Sequence, residues 1–82
     1  MPDGVAVSRQ FVRVTQKGNC VVDWGRNIFQ DIYTGEKIDL DENEYTYIVK
    51  ESELMMLKQY GIIKDFDQHS VYVYPMNDIY GF

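Results

Sequence analysis

The stretch Asp39–Gly61, DLDENEYTYIVKESELMMLKQYG, changes pattern twice, and those changes decide the fold class. It opens on an acidic run from Asp39 to Glu44. Tyr45-Thr46-Tyr47-Ile48-Val49 follows, a β-branched and aromatic segment that suits a pleated strand. From Glu51 the composition becomes helical and stops at a glycine, so a helix is expected over about 52–60. Ser52 is the expected N-cap, and Glu51 and Glu53 lie where the helix dipole favours negative charge. Leu54 and Leu57 share one stripe, Met56 and Tyr60 a neighbouring one, and the leucines and methionines are expected to close a core. A helix this short is unstable alone and needs a sheet to dock on.

The rest of the chain supplies that sheet. Val5–Thr15, VAVSRQFVRVT, is β-prone and places Val12 and Val14 on one face with Arg13 on the other. Gln16-Lys17-Gly18-Asn19 is a turn, and Cys20–Trp24 returns with Cys20, Val22 and Trp24 facing inward. After a turn at Gly25-Arg26-Asn27, Ile28–Tyr33 forms a third strand, with Ile28, Gln30 and Ile32 on one face. Glu36–Leu40 adds a short fourth strand beyond a glycine-bulge turn at Gly35. Ser70–Tyr74 alternates valine and tyrosine and ends at Pro75, whereas Lys64–His69 is polar enough to read as a solvated turn. The expected fold is α+β: a small antiparallel sheet or half-open barrel of five or six short strands with one helix packed on it. Residues 1–82 form a single domain, with a loose end at 1–4 and an apolar tail at 76–82.

Charge is distributed unevenly. The net charge is −5, made of +1 over residues 1–35 and −6 over residues 36–82. An acidic half repels nucleic acid, whose binding rests on cationic contacts to phosphate, and is steered toward basic protein surfaces. A solvated acidic surface that only keeps the chain soluble is the plainer reading of the same numbers. No apolar run approaches the roughly 20 residues that span a membrane, and Met1–Val7 lacks the pattern of a signal peptide, so a cytoplasmic location is expected. Cys20 is the single cysteine, which removes intramolecular disulfides and multi-cysteine metal sites. Flanked by valines, it reads as a core residue.

No residue constellation identifies a reaction, and the chain is expected to be non-catalytic, with no cofactor and no metal. His69 is the sole histidine; acid–base chemistry would need Asp65 and Asp67 beside it. No serine lies in a G-x-S-x-G context, and the glycines match neither a dinucleotide fingerprint nor a P-loop. Asp39, Asp41 and Asn43 occupy positions one, three and five of a calcium loop, but Glu44 and Lys50 stand where that loop needs glycine and a bidentate glutamate.

Tyrosine carries more information. Tyr45 and Tyr47 share one face, as do Tyr72 and Tyr74, and pairing of their strands would gather four rings. Under the helix such rings are core, the reading favoured for at least two of them. Exposed and rimmed by carboxylates, they have the anatomy of a protein-binding surface. The expected contact residues are therefore Asp39, Asp41, Glu42, Glu44, Tyr45 and Tyr47. The reading that follows is an acidic protein-binding module that docks on a larger, basic protein. Its sharper form is an inhibitor or nucleic-acid mimic, which the composition shares with small acidic products of phages and mobile elements. The alternative is an assembly subunit that forms homo- or hetero-oligomers through a sheet edge and the tail Ile79-Tyr80-Gly81-Phe82. Direct single-strand binding through Arg9, Arg13, Lys17 and Arg26 ranks below both.

Overall fold

Val5–Ser8 is a strand (β1), but the chain then tightens into one 3-10 turn, Arg9–Phe11, before extending again as β2, Val12–Thr15. This break inside a uniformly β-prone segment lets its two halves join different sheets. In the computed structural model, which describes residues 4–74, four contacts hold the break at Arg9, one of them from its Nη1 to the Asp67 carbonyl at 3.3 Å. The Arg9 N–H donates to the His69 carbonyl at 2.9 Å, and its guanidinium lies 5.9 Å from the Phe66 ring centre and 3.6 Å from Glu51 Oε1.

From β2 the chain folds as a meander: β3 (Cys20–Asp23), β4 (Phe29–Asp31) and β5 (Lys37–Ile38). Gly18 takes φ +89° in the first turn, where the Gly18 N–H closes on the Thr15 carbonyl. The next turn carries Gly25, Arg26 and Asn27 all at positive φ, and Asp23 Oδ1 accepts the Gly25 N–H at 2.8 Å. The strand β6 (Thr46–Ile48) then crosses to the far side and pairs with β2. The five-stranded order is β5-β4-β3-β2-β6, antiparallel throughout. After the helix α1 (Glu51–Gln59), β7 (Ile63–Phe66) and β8 (Ser70–Val73) form a hairpin that β1 completes into a three-stranded sheet, β1-β8-β7.

The two sheets and the helix share one core. Val12, Val14, Cys20, Val22, Ile32 and Val49 come from or beside the larger sheet, Val7, Ile63, Val71 and Val73 from the smaller, and Leu54 and Leu57 from α1. The alternation read from the sequence places these side chains correctly. Gln30 is buried on the same inner face, where the Trp24 indole N–H reaches its Oε1 at 2.8 Å and its own amide reaches the Gly35 carbonyl at 3.0 Å. Both ends of this buried amide are thus hydrogen-bonded.

The architecture is α+β with antiparallel sheets, as expected, and has eight strands among the described residues. Two are additions: the 3-10 turn divides Val5–Thr15, and Ile63–Phe66 pairs with β8 despite its polar composition. The helix starts two residues earlier than Ser52 implied. Its N-cap is Lys50, because the Glu53 carboxylate reaches back to the Lys50 N–H at 3.0 Å. The methionines do not close the core; Leu54 and Leu57 do, while Met55, Met56 and Tyr60 are exposed. Of the end expected to be loose, Gly4 is described, and a Cβ there would stand 3.1 Å from the Val73 carbonyl, closer than ordinary packing allows. The tail 76–82 lies outside the described residues.

Candidate functional site: an acidic loop beside an open sheet edge

Register determines what β6 presents. The Val49 N–H donates to the Val12 carbonyl at 3.0 Å, which makes Val12 and Val49 a hydrogen-bonded pair. Antiparallel pairs alternate, so Tyr47 bonds Val14 while Thr46 and Ile48, opposite Thr15 and Arg13, turn their N–H and C=O groups away from β2. Among the described residues no strand lies on that side. Tyr45, Tyr47 and Ile48 flank the edge at 66%, 48% and 49% exposure.

One of the outward groups is already engaged. The Arg13 side chain runs over β6, where Nε donates to Thr46 Oγ1 at 3.0 Å and Nη2 to the Thr46 carbonyl at 2.8 Å. Nη1 is held by the Gln10 carbonyl at 3.1 Å. Among the described residues three of these groups have no hydrogen-bond partner: the Ile48 N–H, the Ile48 carbonyl and the Thr46 N–H.

The acidic loop leads directly into this edge. Asp39, Asp41 and Glu42 are exposed, and Lys37 Nζ stands 3.9 Å from Asp39, a contact of little energy at a solvated surface. Glu44 is different. Its N–H donates to the Asp41 carbonyl at 2.9 Å, its Oε1 takes a long bond of 3.4 Å from the Asp41 N–H, and its Oε2 is sealed from solvent with no hydrogen-bond partner. The four carboxylates border an open recess of about 480 Å³ whose remaining walls are Asn27, Phe29 and Leu40. Carboxylates around an apolar floor suit the stem and head of a basic side chain. Among the described residues no three His, Cys, Asp or Glu side chains converge to hold a metal ion.

The strands of the two tyrosine pairs do not pair, so the four rings are not gathered: Tyr45 and Tyr47 belong to the larger sheet and Tyr72 and Tyr74 to the β8 segment of the smaller one. Nor are they core: Tyr45, Tyr47 and Tyr74 are exposed, and Tyr72 is half-buried with its hydroxyl donating to Asp67 Oδ2 at 3.0 Å. Sequence reasoning missed Ile48 and assigned Arg13 to single-strand binding rather than to this edge. Arg13 carried a faint signal as the polar position of an otherwise apolar strand, but nothing local pointed it at Thr46.

The other chemical candidates serve the fold. Asp67 accepts the His69 and Ser70 N–H groups at 2.8 Å each, and these bonds, then the one from Tyr72, hold its carboxyl below the usual range. Asp65 pairs with Lys58 at 3.0 Å, which together with the Phe66 N–H lowers its pKa as well. Burial pushes the Cys20 thiol up to about 12, with Glu53 and Asp31 adding repulsion. Of the four basic residues considered for single-strand binding, Arg9 and Arg13 are tied into internal contacts. No helix among the described residues is long and apolar enough to cross a membrane. Compared with known proteins, the chain matches no family model, no curated protein and no solved structure.

Proposed function

We propose that this chain is a non-catalytic protein-binding module that docks its acidic loop and the adjoining β6 edge on a basic surface of a larger protein. The observation that carries the reading is the contiguity of three exposed carboxylates, Asp39, Asp41 and Glu42, with exposed Tyr45 and Tyr47. Large rings beside a charged rim supply the desolvated anchors and the electrostatic steering that protein recognition uses. The inhibitor or nucleic-acid-mimic form follows where the partner's basic surface is the one that otherwise holds phosphates. Assembly of identical copies through this edge is opposed by charge, since each copy brings its own acidic loop.

The test compares the native chain with the triple variant D39K/D41K/E42K, which leaves the internally bonded Glu44 in place. Basic proteins retained by the native chain from a lysate of its source are expected to be lost by the variant, with its urea midpoint unchanged. Equal retention by both chains contradicts the proposal. Displacement of a retained partner by DNA or RNA separates the mimic form from docking elsewhere.

A further inference from the structure

The backbone of β6 points to how the docking surface is used. We infer that β6 receives the partner as an added antiparallel strand, an extended segment with an apolar residue opposite Ile48 and lysines or arginines toward its C-terminal end. The inference rests on the proposed docking through the acidic loop and adds its geometry.

The four sheet edges are not equivalent. β5 has two residues, β7 has a bulge at Lys64 and packs against α1, and β1 runs into Arg9 with no run of carboxylates beside it in the chain. β6 joins open hydrogen-bonding groups to exposed apolar side chains and an acidic flank. An incoming residue opposite Ile48 exchanges both of its backbone bonds with it. The next residue faces Tyr47, and the one after that faces Thr46. There the partner's carbonyl accepts the Thr46 N–H, but its own N–H finds the Thr46 carbonyl already held by Arg13 at 2.8 Å. That position can forgo its N–H without leaving the Thr46 carbonyl unsatisfied and so tolerates proline, whereas the position opposite Ile48 does not. Beyond Tyr45 the segment reaches the turn Asp41–Glu44, where basic side chains meet the exposed carboxylates of Asp41 and Glu42. Charge therefore sets polarity, and Arg13 sets register.

The test uses an end-blocked peptide, Thr-Val-Val-Thr-Val-Lys-Lys-Lys, read by amide hydrogen exchange on the intact chain. The first two valines are placed to face Ile48 and Tyr47, and the second threonine Thr46. At saturation, the exchange of the Ile48 and Thr46 amides is expected to slow by about tenfold or more. A peptide with glutamates for lysines is expected not to bind. Proline at the second threonine is expected to preserve binding, and proline at the first valine to abolish it. If the lysine peptide shifts the acidic-loop resonances while Ile48 and Thr46 exchange as before, strand addition is wrong and docking through the loop stands. If the glutamate peptide protects the same amides equally, strand addition stands and the basic-partner reading falls. Absence of binding by the lysine peptide overturns strand addition, as does equal loss with both prolines for the register assigned to Arg13.

Discussion

Arg13 and Thr46 lie diagonally across the β2–β6 pair, and the guanidinium passes the threonine side chain to take its outward carbonyl at 2.8 Å. A strand edge with open acceptors is a template for further pairing, and a charged side chain laid across it limits that pairing. Arg13→Ala removes hydrogen bonds to Thr46 and Gln10 and is expected to cost on the order of 2 kcal/mol in urea unfolding. Stability unchanged by the substitution would sink this role.

Leu54 and Met55 are neighbours on α1 with opposite fates, at 0% and 59% exposure. Leu54→Ala leaves a void in the shared core and is expected to lower stability by about 3 kcal/mol. Met55→Ala is expected to stay within about 0.5 kcal/mol of the native chain. Equal costs in thermal or urea unfolding would place the helix in the wrong rotation.

Asp67 gives the β7–β8 hairpin a pH dependence whose sign is determined by its bonds. Its folded pKa is lowered by the His69 and Ser70 N–H groups and the Tyr72 hydroxyl, so its contribution is present above the ordinary aspartate value, about 4, and is lost as pH falls below it. The same hydroxyl bond raises the Tyr72 pKa, so that contribution holds at neutral pH and disappears as pH climbs past the ordinary tyrosine value, about 10. Asp67→Asn is expected to flatten the acid side of a stability–pH curve. An acid limb as steep as the native one contradicts the assignment.

Cys20 is buried, and at pH 8 a thiol with a pKa near 12 holds roughly one thiolate in ten thousand molecules. Alkylation of the native chain is expected to proceed through unfolding and to accelerate with urea in step with the unfolded fraction. Rapid labelling without urea would show the thiol to be open.

Much of the larger sheet is legible because the inward valines of β2 alternate with polar residues and its turns carry glycine, although Val21 of β3 is apolar and buried on the opposite face. What is illegible depends on long-range pairing. Ile63-Lys64-Asp65-Phe66 has little strand character, and β8 alone makes it a strand. The two tyrosine pairs look alike in sequence, yet the 3-10 turn at Arg9–Phe11 sends their strands to separate sheets. Hydrophobicity marks both the leucine and the methionine stripes of α1 without saying which faces in. At the candidate site, the acidic loop and the exposure of Tyr45 and Tyr47 rest on local composition, whereas the open groups of Ile48 and the reach of Arg13 appear only once β6 is set beside β2.

The central structural claim is that β6 is an open edge bordering the acidic loop. Residue-resolved amide hydrogen exchange on the free chain tests it most directly. The Tyr47 amide, bonded to Val14, is expected to exchange slowly, and the Ile48 and Thr46 amides at close to the rate of an unstructured peptide. Protection of Ile48 as strong as that of Tyr47 would mean that the edge is already covered and would contradict the account.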